Sequence, residues 1–154
     1  MSMSPGRTYK YFDGSGGAPL FPFGHGLSLT PLNLSCVEKP EVSSADVEPF
    51  AVTCDVTNLG TVFPGDEVVM AFHSVGDDVR ESAGHPIPIQ ELVGFERVGP
   101  VKPGETATAT LSFSSALDAF GVVGSDGTKT VPPGTHYLEL TNGVDQVTTF
   151  IFEF

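Results

Sequence analysis

The sequence predicts an all-β chain, and three observations carry that expectation. Several segments alternate apolar and polar residues with a period of two, as half-buried strands do. Thirteen prolines and 18 glycines among 154 residues interrupt any long helix. Clusters of Gly, Pro, Asn and Asp punctuate the alternating segments where turns are needed. With 40% hydrophobic and 10% aromatic residues the chain can supply one real core, so a single folded unit is expected.

Residues 1–30 are read as an extended junction arm. They include GRTYKYFDGSGGAPLFPFGHGLSLT (residues 6–30), rich in aromatics and glycine but with neither a helical nor a strand period. Within it DGSGG (13–17) lacks the Lys-Ser/Thr of a phosphate loop and the repeated acids of an EF-hand, so it reads as a turn. Gly24 and Gly26 supply sharp bends around His25.

A first strand is expected over 32–37. The next is FAVTCDVTN (50–58), where Phe50, Val52, Cys54 and Val56 alternate with Ala51, Thr53, Asp55 and Thr57. Further strands are expected over 67–74 and 92–98. ETATATLSFS (105–114) sets Ala107, Ala109, Leu111 and Phe113 against an outer threonine ladder. SSALDAF (114–120) is the one segment expected to make a short helical turn, and Asp126-Gly127 reads as a tight turn. VPPGTHYLEL leads stiffly into a strand over 136–141, and 147–154 closes the series. About seven short strands separated by turn signals suggest two antiparallel sheets packed face to face over 31–154, an immunoglobulin-like or fibronectin type III-like β-sandwich. An up-and-down barrel has a similar pattern, and the sandwich is the expectation taken forward.

Cys36 and Cys54 lie in segments read as neighbouring strands, outside any Cys-x-x-Cys or metal-ligand spacing. They allow either a disulfide or two buried thiols. Asn33-Leu34-Ser35 is a glycosylation sequon, which has meaning only in a secreted chain.

Nineteen acids against 7 bases give a formal net charge of −12. That repels phosphate backbones and anionic lipid, so neither nucleic acid nor a membrane is an expected partner. The acids are scattered, which reads as a solvated surface. No apolar run approaches the ~20 residues of a membrane helix, and MSMSPGRTYK has no apolar stretch of signal-peptide type. Localisation by this criterion is cytosolic, against the sequon.

No catalytic constellation emerges. Pairs such as Asp66-Glu67 and Asp77-Asp78 sit beside turn residues and read as solvated loop acids. His25, His73, His85 and His136 fall in separate segments without metal-ligand spacing, and no serine occupies a Gly-x-Ser-x-Gly elbow. His73 and His136 read as scaffold residues within strands. No cofactor or metal is expected.

The arm also carries a family resemblance. PGRTYKYF followed by PLFPFGHGLSLT resembles the junction leading into the last domain of glycoside hydrolase family 3 enzymes. VTNLGTVFPGDEVVMAF, PIPIQELVGFERVGPVKPGET and SDGTKTVPPGTHYLEL resemble successive segments of that family's C-terminal fibronectin III-like domain, so the likeness covers the whole chain. A P-x-x-x-L-V-G-F-E-R-V run and a G-T-x-x-x-P-x-G-x-H run resemble the β-xylosidase branch, with β-glucosidases close.

The resemblance implies a larger, extracellular or cell-wall-associated parent: a barrel domain with the nucleophile, an α/β domain with the acid/base, then this module. No residues here match the nucleophile motif or the acid/base loop, so no catalytic role carries over, and a non-catalytic accessory module is expected. What carries over is the junction, with Tyr9, Tyr11, Phe12, Phe21, Phe23 and His25 lying against the catalytic domains. The five Tyr and Phe rings among them could together bury several hundred Å² at about 25 cal/mol per Å². The same rings alternatively fold back on the domain's own sheet. Two other functions remain in view. One is polysaccharide binding through exposed rings, for which Tyr137 and the terminal FIFEF are candidates, although Phe150, Phe152 and Phe154 fall on one strand face and read as core. The other is a free-standing protein-interaction domain.

Overall fold

The computed structural model describes residues 8–21, 23–43, 47–143 and 146–154. Two antiparallel sheets face each other. β1 (Leu32–Ser35), β2 (Phe50–Asn58) and β5 (Thr106–Phe113) form one, in the order β1-β2-β5. β3 (Gly65–Val75), β4 (Glu91–Val101), β8 (Thr135–Thr141) and β9 (Val147–Glu153) form the other, in the order β4-β3-β8-β9. This is the sandwich the alternation predicts, and every expected strand is present within a few residues of its expected bounds.

The period-two pattern works as sheet geometry requires. Val52, Cys54 and Val56 of β2 and Ala109, Leu111 and Phe113 of β5 are buried in one cluster with Val69, Ala71, Leu138, Leu140, Phe150 and Phe152 of the opposite sheet. The alternate positions Thr106, Thr108 and Thr110 face solvent. There Thr57 and Thr106 share a hydroxyl hydrogen bond of 2.8 Å, and Thr108 Oγ1 donates to Asp55 at 2.9 Å. Gly94 of β4 has no side chain because the Phe113 ring comes so close that a Cβ there would stand 3.2 Å from it.

Two short helices cover the ends of strands. α2 (Ala116–Phe120) starts at Ser115, whose Oγ accepts from Asp118 N, and it inserts Phe120 as a fully buried ring. Phe120 lies 4.7 Å from Phe152 and 5.1 Å from Phe154, ring centre to ring centre. α1 (Asp77–Ser82) follows β3 and buries Val79. No helical period marks these residues, because the helix is under two turns long and has no side-chain cap. β6 (Val122–Val123) and β7 (Lys129–Thr130) make a small ribbon around the Asp126-Gly127 turn, where Asp126 Oδ1 accepts from Thr128 N at 2.9 Å.

The two acid pairs expected in loops are not loop pairs. Asp66 and Glu67 lie on β3, where Asp66 pairs with Arg97 and Glu67 is buried, its carboxylate taking hydrogen bonds from Val68 N and Asn142. Asp77 and Asp78 form the first turn of α1, and Asp78 accepts from both the amide and the hydroxyl of Thr135. The turn residues beside them end at the strand and helix starts rather than extending over them.

Cys36 and Cys54 are joined by a disulfide, with Cα atoms 4.2 Å apart. It ties the segment after β1 to the middle of β2. Outside it, Gln146 spans from the β8–β9 connection to β1: its carboxamide oxygen accepts from Leu34 N and its NH2 donates to Leu32 O at 3.1 Å.

Candidate docking surface

β3 places Val69, Ala71 and His73 towards the core, so Met70 and Phe72 point to the opposite, outer face of their sheet. Outer-face residues are ordinarily wet, yet Met70 is 2% and Phe72 7% exposed. The arm covers them. Tyr9 and Phe23 stack on each other with ring centres 6.3 Å apart, and both meet the Phe72 ring edge-on, at 6.2 and 6.3 Å.

Polar contacts fix the same register. Ile89 N donates to Lys10 O at 2.6 Å, Leu92 N donates to Tyr9 Oη at 3.1 Å, and the Lys10 ammonium pairs with Glu91. The hydrogen bond to Glu91 holds Lys10 above the usual lysine range. Further along the arm, Gly24 and Gly143 permit a contact that no side chain would allow. A Cβ at Gly24 would lie 2.7 Å from Asn142 O, and one at Gly143 would lie 2.1 Å from Phe23 O.

The arm thus has two sides. Its inner side belongs to this domain's own sheet. Other apolar side chains of the arm stay open to solvent: Leu20 at 87%, Phe21 at 65%, Leu27 at 56% and Leu29 at 96% exposure. Phe23 touches Phe72 and is still 63% exposed, and His25 packs its ring 4.9 Å from Phe21 in the open. Tyr11 and Phe12 are also exposed. Of the junction motif, Pro5, Gly6, Arg7 and Pro22 lie outside the described residues.

The remaining candidate positions are dispersed. Asn33 is exposed on β1, opposite Thr57. His85 reaches the carbonyls of Ala83 and Val123 and so ties the end of α1 to β6. His73 and His136 stack at 5.1 Å, and His73 Nε2 lies 2.9 Å from His136 Nδ1. Burial lowers both from the usual imidazole range, His73 to about 3. The pair comes from residues 63 apart that only the β3–β8 register brings together, so spacing along the sequence carries no sign of it. Phe150 and Phe152 of the FIFEF segment are core, unavailable for stacking on sugar. Among the described residues no group of three or more His, Cys, Asp or Glu is placed to hold a metal, and no helix is long and apolar enough to cross a membrane.

The fibronectin type III-like domain model matches residues 67–143, half of the chain. The chain belongs to the fibronectin type III-like domain family. The domain is 37% identical over 132 residues to a β-xylosidase of Formosa agariphila, covering 86% of this chain and 17% of that protein. It is 36% identical over 112 residues to thermostable β-glucosidase B of Acetivibrio thermocellus, covering 73% of this chain and 14% of that one. Among solved structures, the β-glucosidase of Kluyveromyces marxianus in complex with glucose superposes with a TM-score of 0.76 at 28% identity, over 94% of this chain and 16% of that chain. These relatives bear out the resemblance to family 3 glycosidases, in which the fibronectin III-like domain is a non-catalytic module. The domain spans less than a fifth of the length of each relative named here.

Proposed function

We propose that this domain braces the catalytic domains of a secreted family 3 β-glycosidase of β-xylosidase type, in cis, and is itself inert towards substrate. The observation that supports this most directly is the two-sided arm. Tyr9 and Phe23 hold it to the sheet, and Leu20, Phe21, Leu27 and Leu29 are then presented outward on a segment that is no longer free to fold back. Large apolar side chains left exposed on a fixed support are the physical signature of a surface with a partner. The preceding catalytic domain is the partner that relatives sharing the arm would place there. The Cys36–Cys54 disulfide and the exposed Asn33 sequon fit an oxidising compartment, and we assign the domain to the extracellular side on that basis.

The test uses the Formosa agariphila β-xylosidase with its own matching region deleted or replaced by this chain. Replacement should raise the melting temperature above that of the deleted enzyme, because a domain that binds only the folded state stabilises it. The same chimera carrying Phe21→Ser and Leu29→Ser should lose most of the gain. No difference between deleted and replaced enzymes would overturn bracing. Retention of the domain alone on insoluble xylan would favour a polysaccharide-binding role instead.

A further inference from the structure

A cavity of about 340 Å³ opens between the arm, the α1–β4 connection and the residues after α2. Its size lies at the lower end for small-molecule sites, which begin near ~300 Å³. His73 lines it from the core side, Ile87, Pro88 and Val122 give apolar walls, and Lys10 and Glu91 stand at the rim.

Hydrogen-bond chemistry fixes what His73 offers. The Pro132 carbonyl can only accept, so His136 Nε2, 2.8 Å away, carries the hydrogen. In a neutral ring His136 Nδ1 is then bare and accepts from His73 Nε2–H. His73 Nδ1 is left as a lone-pair acceptor in a residue only 4% exposed. No side-chain donor among the described residues reaches it, and no side-chain nitrogen or oxygen of those residues is both sealed from solvent and unpaired. That nitrogen therefore keeps access to solvent, and the cavity is the opening that His73 borders. Burial keeps the ring neutral through the physiological range, so the acceptor is permanent.

The Ile87–Pro88 wall is held rigid. Arg80 donates to four carbonyls, those of Val75, Ile87, Pro88 and Ile89, at 3.0 to 3.2 Å, and Ile89 N in turn holds Lys10 O. At the rim Glu91 uses Oε1 for Lys10, which leaves Oε2 to accept. An anion would meet Glu91 and a cation would meet Lys10, so the rim selects neither charge. What fits is a neutral molecule with hydroxyls to donate to His73 and Glu91 and to accept from Lys10, and with a C–H face for Ile87 and Val122.

We propose that this cavity is a binding site for a free monosaccharide of pentose or hexose size, held by a hydroxyl that donates to His73 Nδ1. The site lies within this domain and stands independently of the bracing role.

The experiment is an NMR titration of the full chain with D-xylose as the probe and glycerol as the control. Saturable shifts are expected at the His73 ring and at the Ile87 and Val122 methyls, with glycerol producing much weaker ones. H73F keeps a ring but removes the acceptor, and it should weaken xylose binding about fivefold to tenfold. E91Q leaves the core untouched and should weaken it at least about twofold. If H73F fails to fold, E91Q together with the cavity-filling V122F decides. Absence of saturable shifts, glycerol binding as well as xylose, or xylose affinity unchanged in every folded variant would each overturn the proposal.

Discussion

The carbonyl of Phe23 rests directly on the Cα side of Gly143, in the turn between β8 and β9. A Cβ at Gly143 would stand 2.1 Å from Phe23 O and 2.7 Å from Met70 Cε, and the backbone there has φ of 81°. Gly143, together with Gly24 across from it, therefore gives the arm room to lie on the sheet. Gly143→Ala should cost about 1–3 kcal/mol and free the arm. The check is limited proteolysis followed by mass spectrometry, in which cleavage near residues 9–29 should accelerate. Gly26→Ala is the matched control, since Gly26 has φ of 78° but nothing within 4 Å, and it should leave the arm protected.

The Cys36–Cys54 disulfide closes a loop of 18 residues. Restricting the unfolded chain by that much is worth about 3 kcal/mol. Urea unfolding with and without reductant, or of the C36A/C54A double variant, should show a loss of that order. An unchanged midpoint would mean that the reduced pair packs as well as the bridged one.

His73 and His136 make stability depend on pH in a defined direction. Both have folded pKa values below that of a free imidazole, His73 at about 3, because burial disfavours the charged ring. Between the unfolded value near ~6.5 and the folded value the unfolded chain binds more protons, so stability is full above that window and falls as pH drops through it. Melting curves from pH 7 down to pH 4 should show this loss, and His73→Phe should make it shallower. Asp78, whose carboxylate is held low by the Thr135 amide, adds its own loss only at more acidic pH.

Arg80 is the hub of the α1–β4 connection, and its guanidinium is the common donor to four carbonyls. Arg80→Met keeps much of the stem and removes all four bonds, and the expected cost is about 2 kcal/mol. Hydrogen exchange should rise selectively at residues 86–90, with the strands of the sandwich unaffected.

The strands were legible because alternation is a local property that a two-sided sheet imposes residue by residue. FAVTCDVTN and ATATLSF read as they fold, buried on one side and wet on the other. α1 escaped because six residues starting at two aspartates carry too little period to register, and its stability comes from Val79 and the Thr135 contacts, which are distant in sequence. For the docking surface, the aromatic composition of the arm was plain, but its division was not. Which rings turn inward depends on Phe72 being left uncovered by the sheet and on Gly143 yielding room, facts of tertiary structure with no trace in the arm itself. The histidine pair and the disulfide depend in the same way on how distant segments come together.

The carboxamide of Gln146 takes the place of a neighbouring strand along the outer rim of β1, filling one amide and one carbonyl there. Rims of this kind are where foreign chains begin to add on and fibrils begin to grow. An arriving segment must first evict that single side chain, so the domain carries its own stopper along this one edge.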